Sequence, residues 1–132
     1  MTPTEALADS IMTFEGWKQG SRSWRNRNPG NLRPFKSGQE DDGDGYRVFA
    51  SLAEGWQALL DDLNSKFGGS HGLTPTSPLI DLFNVYAPAG DANNPSAYTT
   101  FVCTRCSSIL GRTITPTTTL EDYLGKVSPD VA

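Results

Sequence analysis

The sequence is short of most residues that announce a mechanism. It holds one histidine, His71, and two cysteines, Cys103 and Cys106, in 132 residues. A structural zinc site wants four ligands, and a single histidine beside two cysteines makes one improbable. The Cys-x-x-Cys spacing invites a redox reading. The strand and βαβ setting of a thioredoxin-like site are missing, so the pair reads as two positions on one helix, at least one of them buried. No serine sits in a G-x-S-x-G elbow. GDG at 43–45 is a turn signal, not a phosphate loop. His71 lies in the loop stretch GGSHG and has no triad partner near it in sequence. No metal or cofactor is implied.

Long apolar runs are lacking too, and nothing approaches the ~20 residues of a membrane span. The N-terminal stretch MTPTEALADSIM has neither the positive start nor the apolar core of a signal peptide. The chain is therefore expected to be made in the cytoplasm and not to insert in a membrane. Excess positive charge is absent: the formal net charge is −4, which argues against nucleic acid as a partner. The basic residues are nevertheless uneven. Lys18, Arg22, Arg25, Arg27, Arg33 and Lys36 come just before Glu40, Asp41, Asp42 and Asp44. This is a local positive face that can meet an anion, or simply a solvated loop. Apolar content is 36%, with 13 Gly and 9 Pro, which points to one compact, loop-rich domain. A chain of this size buries roughly two thirds of its unfolded surface, enough for a real core. No internal repeat is evident, and the TPTTT tract at 115–119 is too short to be low-complexity.

What is present is strong helix punctuation. Thr2, Pro3 and Glu5 form a capping box with proline at the first helical position, followed by Leu7, Ile11 and Phe14 at helical spacing. Gly16 suits the end of that helix. Two short β-like runs follow, 31–35 and 46–49. The polar stretch KSGQEDDGDG between them is a plausible hairpin tip. Ser51 with Glu54 caps a second helix carrying Leu52, Trp56, Leu59, Leu60, Leu63 and Phe67. A third is expected from Ser77 with Pro78 at the first position, through Leu79, Leu82, Phe83 and Tyr86 to a stop at Pro88. A fourth runs from Asn94 and Pro95 through Tyr98, Phe101, Val102, Ile109 and Leu110 to Gly111. A short last helix at 120–124 is expected, capped by Thr118 with Glu121. The order predicts a mainly α (α+β) domain: a helix, a small β-hairpin, then a helical bundle.

One carboxylate stands out. Glu15 falls in the last turn of the first helix, between Phe14 and Gly16-Trp17. The helix macrodipole disfavours an anion there, and aromatic neighbours can desolvate it; both raise its pKa. A carboxylic acid must be tuned in this way to protonate a glycosidic oxygen near neutral pH. Asn26, Asn28, Asn31 and Arg33 can hydrogen-bond a sugar, and Trp17, Trp24, Tyr86 and Tyr98 can stack on one. The plainer reading is a solvated glutamate near a helix end.

Phe14-Glu15-Gly16 followed by the segment Asn28-Pro29-Gly30-Asn31-Leu32-Arg33 resembles the lysozyme-like superfamily. More narrowly, it resembles small phage and prophage peptidoglycan-degrading domains. Two further stretches carry the likeness: Phe49 to Gly55, and Tyr86-Ala87-Pro88 through Asp91, Asn93 and Asn94 to Tyr98. Together they cover roughly residues 10 to 111. The resemblance implies a lysozyme-like fold with Glu15 as general acid and NPGNLR as the first strand of the active-site hairpin. It also implies that Tyr86 lines the cleft near the substrate as a further catalytic residue. Asn26-Arg27-Asn28 departs from the usual asparagine run, and Cys103 and Cys106 lie outside the pattern.

A hydrolase of this kind needs a second carboxylate, ~5–5.5 Å or ~6.5–9.5 Å from the acid. Asp42 and Asp44 in the hairpin tip are the candidates, and both also read as plain turn residues. A lytic transglycosylase needs none, which favours it slightly over a hydrolytic muramidase. Either would act as a monomer on the glycan strands of the bacterial cell wall, reached through phage lysis, the virion or a secretion machine. The alternatives are a virion structural or glycan-binding protein without turnover, and a chitinase-like activity.

Overall fold

The computed structural model describes residues 1–91 and 93–125. Among them, six α-helices account for the architecture: α1 (Pro3–Phe14), α2 (Arg22–Arg25), α3 (Leu52–Phe67), α4 (Leu79–Tyr86), α5 (Pro95–Leu110) and α6 (Leu120–Tyr123). The chain is mainly α, as its punctuation predicts.

Helix α1 begins as a full capping box. The Glu5 N–H donates to Thr2 Oγ1 at 3.1 Å, and the Thr2 N–H donates to Glu5 Oε1 at 2.9 Å. It ends in a Schellman turn, with the Gly16 N–H on the Thr13 carbonyl and the Trp17 N–H on the Met12 carbonyl. Gly16 adopts φ +77°, which a side chain would strain. This geometry places Glu15 at the helix C-cap. Ser51 caps α3 and Asn94 caps α5, and Gly111 closes α5 at φ +68°.

The core is one cluster. Leu7 and Ile11 of α1 meet Leu59 and Leu63 of α3, Leu82 and Phe83 of α4, and Val102 of α5, all fully buried. Helix α1 packs on α5 and α3, and α4 packs on α5. Burying each such side chain contributes about 1.5–3 kcal/mol, so these elements form by packing rather than by propensity alone.

Two helix starts differ from expectation. Thr119, not Thr118, caps α6, and Pro78 stands at the N-cap of α4 rather than inside it. The reason is a duplicated turn. Ser77 Oγ accepts from the Thr74 N–H at 2.9 Å, and Thr118 Oγ1 accepts from the Thr115 N–H at 2.9 Å. Each hydroxyl closes its own four-residue turn and is not free to cap a helix. The two turns then pair with each other. Leu79 and Ile80 donate to the Thr118 and Pro116 carbonyls, while Leu120 and Glu121 donate to the Ser77 and Pro75 carbonyls. Leu-Thr-Pro-Thr-Ser-Pro-Leu (73–79) and Ile-Thr-Pro-Thr-Thr-Thr-Leu (114–120) are thus a short internal repeat that joins the starts of α4 and α6.

The expected β-hairpin is not formed. Between 26 and 49 there is a single isolated bridge, Asp41 with Arg47. Asn31 has φ +48°, Gly38, Gly43 and Gly45 all have positive φ, and Pro34 has no N–H to donate, so no ladder can propagate. A side chain stands in for the missing strand. Asn28, fully buried, donates to the carbonyls of Leu32 (2.9 Å) and Arg47 (3.0 Å) and accepts from the Leu32 N–H (2.9 Å). The short helix α2, capped by Ser21, was not expected.

Candidate active site

Loop 30–49 and helix α3 face each other across an open cleft of about 1060 Å³, with Tyr86, Ala87 and Pro88 also lining it. The loop wall carries Asn31, Arg33, Phe35, Lys36 and Arg47. The helix wall carries Glu54, Gln57, Asp61 and Ser65. Those α3 positions recur every three or four residues, opposite Leu59 and Leu63, which is why one helix can serve core and cleft at once. One wall is therefore basic and the other acidic.

Glu15 lies in this cleft. Its Oε2 accepts from the Tyr98 hydroxyl at 2.7 Å, and its Oε1 accepts from Asn31 Nδ2 at 3.2 Å. Burial pushes its pKa above the ordinary value, against the two hydrogen bonds, which pull it down. The negative end of α1 acts in the same direction as burial. The carboxyl therefore keeps its proton further up the pH scale than a solvated glutamate does.

The two tyrosines divide their work in a way the sequence does not reveal. Tyr98, on α5, touches Glu15. Tyr86, expected to line the cleft as a catalytic residue, does line it and donates to the Gly30 carbonyl at 2.7 Å, so anchoring the NPGN turn. Burial raises both phenols well above the ordinary range, so both are neutral donors. The Tyr98 ring is wedged between Phe14 (centroids 3.9 Å apart) and Phe83 (5.1 Å). Lys66, buried on α3, sits 5.6 Å from the Tyr86 ring and pairs with Asp62 at 2.8 Å.

Two glycines make this arrangement possible. A Cβ on Gly30 would collide with the Tyr86 hydroxyl and reach 2.8 Å from Leu59 Cδ1; a Cβ on Gly55 would collide with the Arg27 carbonyl. Phe49 donates its N–H to the Asn26 carbonyl at 2.9 Å. The NPGN turn and the Phe49-to-Gly55 stretch, noted separately in the sequence, are thus two sides of one joint.

The remaining candidates sort clearly. Arg33 lines the cleft, its guanidinium 4.6 Å from the Tyr46 ring. Asn28 is committed to the loop and offers nothing to a ligand. Neither Trp17 nor Trp24 lines the cleft: Trp17 closes the α1 terminus, and Trp24 is exposed on α2. Phe35 takes the place expected of them, 76% exposed on the cleft wall. Asp42 is not a cleft residue. It accepts from Asn26 Nδ2 at 2.8 Å and from the N–H groups of Asp44 and Tyr46, and the Asn26 amide first among these holds it below the ordinary carboxylate value. Asp44 is exposed and pairs with Arg22 at 3.4 Å. The acids that do line the cleft besides Glu15 are Glu54, Asp61 and Asp62, and their helical stripe was the overlooked signal. His71 also lines it, with Nδ1 3.2 Å from Ser70 Oγ.

Cys103 and Cys106 are free and buried. Burial pushes the Cys103 thiol up to about 12, and Cys106 Sγ packs between Ser10 Oγ and the Tyr123 hydroxyl. These are inert core thiols. No group of three or more His, Cys, Asp or Glu able to hold a metal occurs among the described residues. No family model matches the chain, and no match was found among curated proteins or solved structures.

Proposed function

We propose that the protein is a peptidoglycan-degrading glycosidase that cleaves the β-1,4 bond between N-acetylmuramic acid and N-acetylglucosamine, with Glu15 as general acid and then base. One observation carries this reading: a carboxyl biased by burial towards its protonated state, fixed by Tyr98 and Asn31, in an open cleft. Protonating a glycosidic oxygen needs that state of the acid, and a polymer needs an open groove. Phe35 offers an exposed ring for stacking on a sugar face. Arg33 and Arg47 suit the carboxylates of peptide stems.

Of the two outcomes, lytic transglycosylation is favoured over hydrolysis. Asp42 and Asp44 are engaged in their own turn and stand outside the cleft, and the other cleft acids, Glu54, Asp61 and Asp62, lie on the α3 wall with no contact to Glu15. In a transglycosylase Glu15 gives its proton to the bridging oxygen as the C1–O4 bond breaks and the N-acetylglucosamine end leaves; the 6-hydroxyl of the same muramic acid then bonds to C1 and the Glu15 carboxylate takes the hydroxyl proton. The protein then needs no cofactor and acts on glycan strands as a single copy.

The test is mass spectrometry of soluble products from purified peptidoglycan, for wild type and Glu15→Gln. The expected result is anhydro-muramyl ends that vanish in the variant. Reducing ends with added water would make it a hydrolase and turn attention to Glu54 and Asp61. No release by wild type, with the fold intact, would overturn the enzymatic reading.

A further inference from the structure

Asn31 lines the cleft beside the acid and uses only half of its amide. Nδ2 donates to Glu15 Oε1. Oδ1 is buried and has no hydrogen-bond partner in the protein. The residue also holds φ +48°, a left-handed conformation that asparagine tolerates better than most but that still carries strain.

Neighbours hold the backbone of this turn in place. The Asn31 N–H donates to the Asn28 carbonyl at 3.1 Å. Asn28 Oδ1 holds the next N–H, and Tyr86 holds the preceding carbonyl. A strained backbone held by surrounding contacts and an acceptor without a partner in the protein, both at one cleft residue, point to a ligand. The terminal torsion of asparagine is soft, so the oxygen can turn to meet a donor brought into the cleft.

We infer that Asn31 Oδ1 accepts the 2-acetamido N–H of the amino sugar whose glycosidic oxygen receives the proton of Glu15. This rests on the reading of the cleft as a glycosidase site and assigns the group that gives it substrate selectivity. The acetamido nitrogen is on C2, next to the anomeric carbon, so a side chain that touches the acid is within reach of it. An amide oxygen only accepts and an acetamido N–H only donates, so each stays unpaired when the other is missing. A site built on such a pair discriminates more sharply than an apolar pocket does. Held by its N–H, the acetamido group also has its carbonyl oxygen fixed relative to the reacting carbon.

The test compares two soluble hexasaccharides: the β-1,4 N-acetylglucosamine polymer, and its analogue with acetyl esters at O2, which keeps the carbonyl and loses only the N–H. Digestion of purified peptidoglycan runs beside them as the check on the parent reading. Wild type is expected to favour the acetamido sugar by about tenfold or more in kcat/KM. In Asn31→Gly, which retains the left-handed backbone, the preference is expected to fall to within about twofold. If wild type or Asn31→Gly turns over neither sugar, calorimetric binding of both to Glu15→Gln, with and without Asn31→Gly, reads the same ratio. A wild type indifferent to the ester, or equal losses on both sugars in the variant, overturns the inference while leaving the glycosidase reading intact. Failure of wild type on peptidoglycan itself removes both.

Discussion

Two parts of this chain use small polar residues and prolines to opposite ends. The paired turns at 74–77 and 115–118 are self-satisfied. Each hydroxyl closes its own turn, and the two turns exchange backbone hydrogen bonds that join the starts of α4 and α6. The segment 26–32 is the reverse. It has two non-glycine residues at positive φ, Arg27 and Asn31, and one buried oxygen without a partner. It is kept in place from outside, by Tyr86 on Gly30, Gly55 under Arg27, and the Asn28 side chain. The first region supports the fold at low strain. The second is strained and supported, as expected where a local rule is broken for a site.

The largest effect expected is at Glu15 itself. Glu15→Gln should lower product release by about 10²–10⁴-fold and leave the fold intact. It should also stabilise the protein at neutral pH. Because the folded carboxyl has the raised pKa, its contribution to stability is full below the ordinary glutamate range and is lost as pH rises through the raised value. The glutamine cannot ionise, so thermal melts of the two proteins should converge in acid and separate towards pH 7. A variant less stable than wild type at pH 7 would contradict the assignment of burial as the dominant cause.

Gly30→Ala comes next, because the added methyl collides with the Tyr86 hydroxyl. Overpacking of this kind costs about 1–3 kcal/mol, and the displaced turn carries Asn31 away from the acid. Activity should fall by far more than a melting curve registers. A loss of stability with full activity would separate the turn from the site.

Tyr98→Phe should lower the rate about tenfold, and its pH profile is the sharper readout. Removing the 2.7 Å donor takes away a contact that favours the carboxylate, so the alkaline limb should move to higher pH. A limb that stays put would mean that Tyr98 only packs.

The smallest effect belongs to the other region. Thr118→Val removes the hydroxyl that accepts from Thr115 and should cost about 1 kcal/mol of stability, with product release unchanged. An equal loss of activity would show that the two regions are not independent.

The sequence made some of this legible and concealed the rest for physical reasons. The starts of α1, α3 and α5 could be read because an N-cap and its partner lie three residues apart. Glu15 could be read because Gly16 marks the helix end. The expected hairpin is reduced to one bridge because a single backbone contact, Arg47 on the Leu32 carbonyl, joins its two runs and the Asn28 side chain makes the contacts beside it. The contact of Tyr98 with Glu15 was hidden, since it follows from packing α5 on α1 across 83 residues. The twin turns and the polar stripe on α3 were present as patterns. The turns were masked by reading Ser77 and Thr118 as helix caps, and the stripe by attending to the apolar face of the same helix.

The most direct test of Glu15 as the acid combines two titrations of wild type. One follows the Glu15 carboxyl carbon by NMR; the other follows kcat/KM on peptidoglycan fragments against pH. The expected result is a carboxyl pKa above the ordinary glutamate value that coincides with the alkaline limb of the rate profile, because the acid must be protonated to act. A Glu15 that titrates at or below the ordinary value, or a rate that runs level through its titration, would contradict the assignment.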